Sequence, residues 1–166
     1  MASVSQVSLP EYLSSDYEPG CELVSGELVP KPMGTLEHMN MERRLERLLE
    51  AFEQKGIGHV VRELSYRKGD DVRIPDLVFY TAGAHFQDGL LMDAPLLAIE
   101  VLSPSQRLSE LFAKCEAYHS WGVPYCWVVD PVKKIAWEYH RDQAVQCKTE
   151  TLMAGEITIS VAELFA

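Results

Sequence analysis

Two stretches of the chain are apolar at almost every position: VRIPDLVFY, from Val72 to Tyr80, and PLLAIEVL, from Pro95 to Leu102. Runs of this kind are how strands covered on both faces of a sheet read. Each carries a single carboxylate in its middle. Side chains alternate between the two faces of a strand. The pattern therefore predicts Asp76 on the face of Val72, Ile74, Val78 and Tyr80, and Glu100 on the face of Leu96, Ala98 and Leu102.

Around these runs the period lengthens. From Gly34-Thr35 to about Gln54, a turn of about 100° per residue puts Met41, Leu45, Leu48, Leu49 and Phe52 on one stripe. This predicts a helix capped by Thr35 or Gly34 and stopped by Gly56 and Gly58, with His38 inside the stripe and Glu42 on its edge. A second helix is predicted from about Gln106 to Trp121, capped by Ser103-Pro104-Ser105 and ended by Gly122 and Pro124. Its buried arc holds Leu108, Leu111, Phe112, Cys115, Tyr118 and His119, and Lys114 lies just off that arc. CELVSGELVPKP reads as a hairpin over about residues 21 to 30 that turns at Ser25-Gly26 and carries exposed acids. The residues before it read as a loosely ordered lead-in with a helical turn near Pro10 to Leu13.

Further strands are predicted from about His59 to Tyr66, at YCWVVDP (Tyr125 to Pro131), at IAWEYHR after a Lys133-Lys134 turn, and near Gln146 to Thr151. A short terminal helix is expected in ITISVAELFA. Lys68-Gly69-Asp70-Asp71 reads as an exposed turn, and residues 81 to 94 as a long loop between the acid-bearing strands. Strand-helix alternation after a meander predicts an α/β domain with a mixed central sheet flanked by helices. With 166 residues and 47% hydrophobic content, one domain over residues 1 to 166 is expected. Its core would span about residues 34 to 131 and its C-terminal strands about residues 135 to 166. Trp121, Trp127 and Trp137 fall in buried elements and read as core.

The formal charge of −10 counts against strong non-specific affinity for nucleic acid, which rests on phosphate neutralisation. Local basic strips are still open: Arg62, Arg67, Lys68 and Arg73 on one stretch, and Arg43, Arg44 and Arg47 on the first long helix, read as solvated surface. No apolar run approaches the roughly 20 residues that span a bilayer. The N-terminus lacks the basic start and apolar run of a signal peptide, and the four cysteines show no CxxC spacing. A cytoplasmic protein with reduced thiols and no membrane partner is expected.

Burying an unpaired carboxylate costs several kcal/mol, so Asp76 and Glu100 need cations or hydrogen-bond donors. Two such acids on neighbouring strands, followed by a lysine, point to a divalent metal site. The alternatives are buried salt bridges, or an acid accepting backbone N–H groups at a bulge beside Pro75. A lone histidine on an apolar helix face is usually a satisfied core residue. His38, however, lies one turn from Glu42, and both can point at the same spot on the sheet. If that spot is the Asp76/Glu100 pair, His38 is metal-proximal and Glu42 an accessory acid. For Lys114 the alternative is a surface ion pair with Glu110, four residues earlier.

Several pieces together resemble the core of the PD-(D/E)xK nuclease superfamily and, within it, the Uma-type restriction endonucleases: CELVSGELV, the helix with His38, RIPDLVFY, APLLAIEVLSPS, Lys114 with Tyr118, and GVPYCWVVDP. They span about residues 21 to 131. PD alone occurs by chance, whereas EVLSPS followed by K-x3-Y and then G-V-P-x-x-W-x-V-D-P is far more specific. The resemblance implies a restriction-endonuclease-like core with Asp76 and Glu100 as metal ligands, Lys114 as catalytic lysine and His38 as a helix-borne member of the site. Tyr118, Glu42 and Glu110 are accessory to it. Two residues after Glu100, where the superfamily places its lysine, this chain has Leu102. The Uma-type family supplies the lysine from the following helix, where Lys114 stands. Glu110 takes the place of that family's usual aspartate, keeping the charge on a longer arm.

The activity implied is metal-dependent hydrolysis of DNA phosphodiester bonds, with Mg²⁺ or Mn²⁺ held by Asp76, Glu100 and the backbone carbonyl of Val101. Such an ion lowers the pKa of a bound water and neutralises charge on the attacked phosphate. Lys114 would orient the water and stabilise the transition state, with His38 or Glu42 positioning metal-bound water. A homodimer joining two clefts would suit duplex cutting. An alternative of a different class is a non-catalytic binding or regulatory module with a nuclease-like fold, its acids paired internally and no metal bound. The joint presence of Asp76, Glu100 and Lys114 favours catalysis.

Overall fold

A computed structural model describes residues 6–141, 143–147 and 150–166, with Gln146 and Cys147 described by backbone alone. The first elements are α1 (Leu9–Leu13), β1 (Cys21–Val24), β2 (Glu27–Pro30), α2 (Leu36–Glu53), β3 (Gly58–Arg62), β4 (Tyr66–Lys68) and β5 (Asp71–Arg73). β6 (Leu77–Thr81), β7 (Phe86–Gln87), β8 (Leu90–Leu91), β9 (Leu97–Val101), α3 (Leu108–Ser120) and β10 (Tyr125–Asp130) follow. The chain continues through β11 (Ile135–His140), β12 (Gln143–Cys147), β13 (Thr151–Ala154), β14 (Ile157–Ser160) and α4 (Val161–Leu164).

Six strands in the order β12-β11-β10-β9-β6-β3 form the central sheet. β9 and β10 run parallel and the other neighbours antiparallel, so the sheet is mixed, as expected. α2 covers one face, packing Met41, Leu45, Leu49 and Phe52 against Leu77, Phe79, Ile99 and Val101. α3 covers the other, packing Leu111, Cys115 and Tyr118 against Ala98, Cys126 and Val128. Alternate residues of β9 thus feed opposite cores, which is why its sequence reads as an unbroken apolar run. A second sheet, ordered β2-β1-β5-β4-β8-β7, carries α1, whose Leu9 packs with Leu23, Val72 and Leu90.

The apolar run from Val72 to Tyr80 is not one strand. β5 belongs to the second sheet and β6 to the central one, with Ile74-Pro75-Asp76 as the break between them. Pro75 has no N–H to continue a ladder. Ile74 instead gives its N–H to Glu22 Oε1 at 2.8 Å, and its carbonyl accepts Lys31 Nζ at 2.8 Å. The expected strand from His59 to Tyr66 divides in the same way, between β3 and β4, where Glu63 adopts a φ of 52°. Leu96 precedes β9 and packs in the α2-side core, while Ala98 and Leu102 join the α3-side core.

Residues 6 to 20 are better anchored than the sequence suggests. Val7 N–H donates to Gly26 O at 2.8 Å, and the Tyr12 hydroxyl donates to Cys21 O at 2.6 Å. The long loop contains the β7-β8 hairpin, and β8 pairs parallel with β4. Ser103-Pro104-Ser105 lies outside α3. Arg107 is the N-cap, its N–H accepted by the Glu110 carboxylate at 3.1 Å. The strand expected near Gln146 to Thr151 resolves into the end of β12 and the start of β13, and residues 148 and 149 between them lie outside the described set. Trp127 and Trp137 are buried and Trp121 half-buried. Cys21, Cys115 and Cys126 are free thiols. Among the described residues, no helix is long and apolar enough to cross a membrane.

Candidate active site

The break at Pro75 sets the site. β6 pairs with β9 so that Leu77 faces Ile99 and Val78 faces Ala98, and one further step of this antiparallel register brings Asp76 to Glu100. Asp76 Oδ2 accepts the Val101 N–H at 2.7 Å. Glu100 points to the α3 side, where Lys114 and Tyr118 stand one helical turn apart. Lys114 Nζ lies 2.8 Å from Glu100 Oε1, and the Tyr118 hydroxyl donates to the same oxygen at 2.5 Å.

α2 contributes from the opposite side. His38 Nε2 is 3.3 Å from Asp76 Oδ2, and its Nδ1 is 3.6 Å from Glu42 Oε1. His38 and Glu42 therefore do meet the acid pair, through Asp76. Glu110 does not pair with Lys114. Its carboxylate caps Arg107 at the start of α3, although the residue lines the same cleft. Val101 meets Asp76 through its N–H.

Two residues of the site, Glu22 and Lys31, were not anticipated. Glu22 reads as an exposed hairpin acid, yet its side chain is 4% exposed. Glu22 Oε1 lies 3.1 Å from Lys114 Nζ and accepts the Ile74 N–H, and its Oε2 is 3.7 Å from Arg73. Lys31 Nζ lies 3.0 Å from Asp76 Oδ1. One signal was available for Lys31: prolines at positions 30 and 32 fix the backbone on either side of it, so its stem leaves a rigid, extended segment. Glu22 carries no comparable mark, because its burial depends on the second sheet.

Arg73 turns inward, 5.5 Å over the Trp121 ring, and departs from the expected solvated strip. Arg62 pairs with Glu46 on the surface and Arg67 bonds Gly69 O, as solvated residues do. Asp70 is exposed, and Asp71 accepts the Ser25 N–H at 2.7 Å, bracing the hairpin turn. A cleft of about 480 Å³ adjoins the site through Lys31 and Lys114 and is lined as well by Arg73, Glu22, Gln106 and Glu110, whereas Asp76 and Glu100 lie behind these side chains and do not line it.

Burial alone would raise the Asp76 pKa, but the hydrogen bond from His38, the Lys31 charge and the Val101 N–H outweigh it and hold Asp76 well below the usual range. Glu100 behaves oppositely. Full burial and the nearby Asp76 charge push it up to about 7 against the pull of Lys114. Burial likewise raises Glu42 to about 6. Lys114 is held protonated by Glu100 and Glu22 in spite of burial, and Lys31 by Asp76 and Glu100.

One set of donors able to hold a divalent cation is grouped around Asp76, and Glu100 is not part of it. His38, Glu42 and Asp76 offer ligand atoms within 4.8 Å of one another. His38 Nδ1 and Glu42 Oε1 are buried without a hydrogen-bond partner, and a cation held by this set would draw Glu42 back toward its ionised form.

The family model of Uma2, described as "Putative restriction endonuclease", matches residues 9–165. The chain belongs to the Uma2 family. Its fold is shared with a solved structure described as a "putative nuclease belonging to DUF820" from Anabaena variabilis ATCC 29413. The two agree with a TM-score of 0.81 at 22% identity, over 96% of this chain and 97% of that one. No curated protein matches the sequence. In this Uma2 chain the nuclease-like fold brings Asp76, Glu100, Lys114, Tyr118, His38 and Glu42 into one buried cluster under an open cleft.

Proposed function

We propose that this Uma2 protein is a metal-dependent endonuclease that hydrolyses DNA phosphodiester bonds, with Asp76, Glu100 and the Val101 carbonyl as ligands. The observation that carries the reading is the Lys114 ammonium. It lies 2.8 Å from Glu100, the residue that the β6-β9 register sets opposite Asp76, on the wall of a cleft of about 480 Å³. Mg²⁺ or Mn²⁺ bound there would supply water activation and charge neutralisation at phosphorus.

The protein's own groups do the rest. Tyr118 and Lys114 fix the Glu100 carboxylate, and Glu22 holds Lys114 by a second ion pair. Lys114, held protonated, presents hydrogen-bond donors to a non-bridging oxygen or to the attacking water. His38 orients Asp76, and Glu42 sits behind His38 as an accessory acid. Lys31, Arg73 and Lys114 bring three cations to a cleft that Glu22 and Glu110 also line, in a chain of net charge −10, and these are the groups that would meet a phosphate there. Two copies placed with their clefts facing a duplex would cut both strands.

A second reading also has an observation behind it: both acids already have internal partners, Asp76 in Lys31 and Glu100 in Lys114. That is what a non-catalytic binding module would keep. The experiment is cleavage of supercoiled plasmid and of single-stranded DNA in Mn²⁺ or Mg²⁺, comparing wild type with Glu100→Ala and Lys114→Ala. Metal-dependent cutting lost in both variants is expected. No cutting and no Mn²⁺ binding by wild type would overturn the enzyme reading in favour of the binding module.

A further inference from the structure

Lys31 occupies the place on Asp76 that a metal ion would need. Its Nζ lies 3.0 Å from Asp76 Oδ1 and 2.8 Å from Ile74 O, and its side chain is 12% exposed. The other Asp76 oxygen is already taken by the Val101 N–H and faces His38. An ammonium and a divalent cation on Oδ1 repel each other across a single carboxylate oxygen, so the two compete for it.

Lys31 has somewhere to go. It is among the residues that line the cleft, together with Arg73, Gln106 and Lys114. The nearby Glu63 carboxylate, 3.9 Å from Nζ and 64% exposed, marks the solvent side. Pro30 and Pro32 hold the backbone, so the movement is confined to a flexible four-carbon stem.

We propose that Lys31 is the resident cation of the metal site: it neutralises Asp76 while the ion is absent, and yields Oδ1 to a divalent ion by turning its ammonium into the cleft. There its charge joins Lys114 and Arg73 on the wall that faces the substrate. The inference rests on the metal reading given above and adds to it a competition internal to the chain. It predicts that apparent metal affinity is lowered by the fraction of molecules in which Lys31 holds Asp76.

The test measures free Mn²⁺ by electron paramagnetic resonance over wild type, Lys31→Met and Lys31→Arg. In parallel, amine acetylation of the wild type is followed by mass spectrometry with and without Mn²⁺, with exposed Lys55 as internal control. Lys31→Met should bind Mn²⁺ on the order of tenfold more tightly than wild type, and Lys31→Arg no more tightly. Acetylation of Lys31 should rise with Mn²⁺ while that of Lys55 stays level. Equal or weaker Mn²⁺ binding by Lys31→Met, or Lys31 labelling unmoved by saturating Mn²⁺, would overturn the proposal and leave the metal site standing. No Mn²⁺ binding by wild type or Lys31→Met would remove both, whereas Mn²⁺ binding without DNA cleavage would remove the nuclease reading alone. Should Lys31→Met fail to fold, the labelling of wild type decides.

Discussion

The carboxylate of Asp76 accepts the backbone N–H of Val101 at 2.7 Å. This bond ties the chain break at Pro75 to the strand that carries Glu100, so the same acid is both a structural clamp and a candidate ligand. The two roles separate by substitution. Asp76→Asn keeps an oxygen for the Val101 N–H and should fold. Asp76→Ala leaves that N–H, Lys31 and His38 without their shared partner and should cost about 3–5 kcal/mol. Urea unfolding measures the difference, and both variants should lose Mn²⁺ binding. Equal stability of the two would show that the clamp contributes little.

Glu22 touches no candidate ligand, yet it holds Lys114 at 3.1 Å and faces Arg73 at 3.7 Å. In Glu22→Gln the amide oxygen still accepts the Ile74 N–H, so the fold should persist while the hold on Lys114 weakens. Cleavage should fall by about tenfold or more, by analogy with the loss of a group that orients a site residue. Mn²⁺ affinity should change far less, since the lost contact is to Lys114. Undiminished cleavage would reduce Glu22 to a strand-packing residue.

The acids and the lysine were legible in the sequence because each interrupts or borders an apolar run: Asp76 at the break between β5 and β6, Glu100 inside β9, His38 inside a helical stripe, Lys114 beside one. The partition of the strands was not. Period-two alternation reads straight across Val72 to Tyr80, and only the pairing partners reveal that β5 and β6 belong to different sheets. Glu22 and Lys31 were hidden for the same reason. What buries them is the second sheet, assembled from strands of two to four residues that are too short to show a period. The alternative of an ion pair between Glu110 and Lys114 rests on helical spacing alone, whereas the cap at Arg107 claims Glu110.

Gly58 opens β3 opposite Thr81 of β6, close to the Tyr80 backbone. A Cβ there would run into the Tyr80 carbonyl and lie 2.7 Å from Phe79 Cε1 in the core. Gly58→Ala should therefore lower stability by about 3 kcal/mol or more, through displaced pairing between β3 and β6. Gly56→Ala is the comparison. Its φ of 75° strains any side chain, but nothing lies within 4 Å, so about 1 kcal/mol is expected. Thermal melts of the two variants should rank them in that order, and the reverse ranking would mean that β3 shifts freely.

Glu110 lines the cleft but spends its carboxylate on the Arg107 N–H. Glu110→Ala should cost about 0.5–1 kcal/mol as a helix-cap loss, and should leave Mn²⁺ affinity and Lys114-dependent cleavage unchanged. A tenfold or greater fall in metal affinity at unchanged stability would instead restore Glu110 to the site.

The buried acids fix how stability depends on pH in the metal-free protein. Glu100 is raised to about 7 and Glu42 to about 6, both chiefly by burial, so ionising them disfavours the folded state. Between their unfolded values near 4.5 and these folded values, the native protein binds more protons than the unfolded chain, and stability falls as pH rises. His38 acts in the same direction. Asp76 outweighs burial and keeps its pKa raised, and that contribution is lost as pH climbs past 6.5. Asp76 acts in the opposite sense, but only below its unfolded value of 3.8. Urea midpoints should therefore be highest near pH 4–5 and drop toward pH 8, and Glu100→Gln should remove part of that drop, the rest belonging to Glu42, His38 and His119, which is raised to about 9 chiefly by its hydrogen bond with Cys126. Mn²⁺ should reverse it, since an ion that demands ionised carboxylates stabilises the folded state more as pH rises. A metal-free profile that rises from pH 5 to 8 would mean that Glu100 is ionised throughout and that Lys114 alone carries its charge.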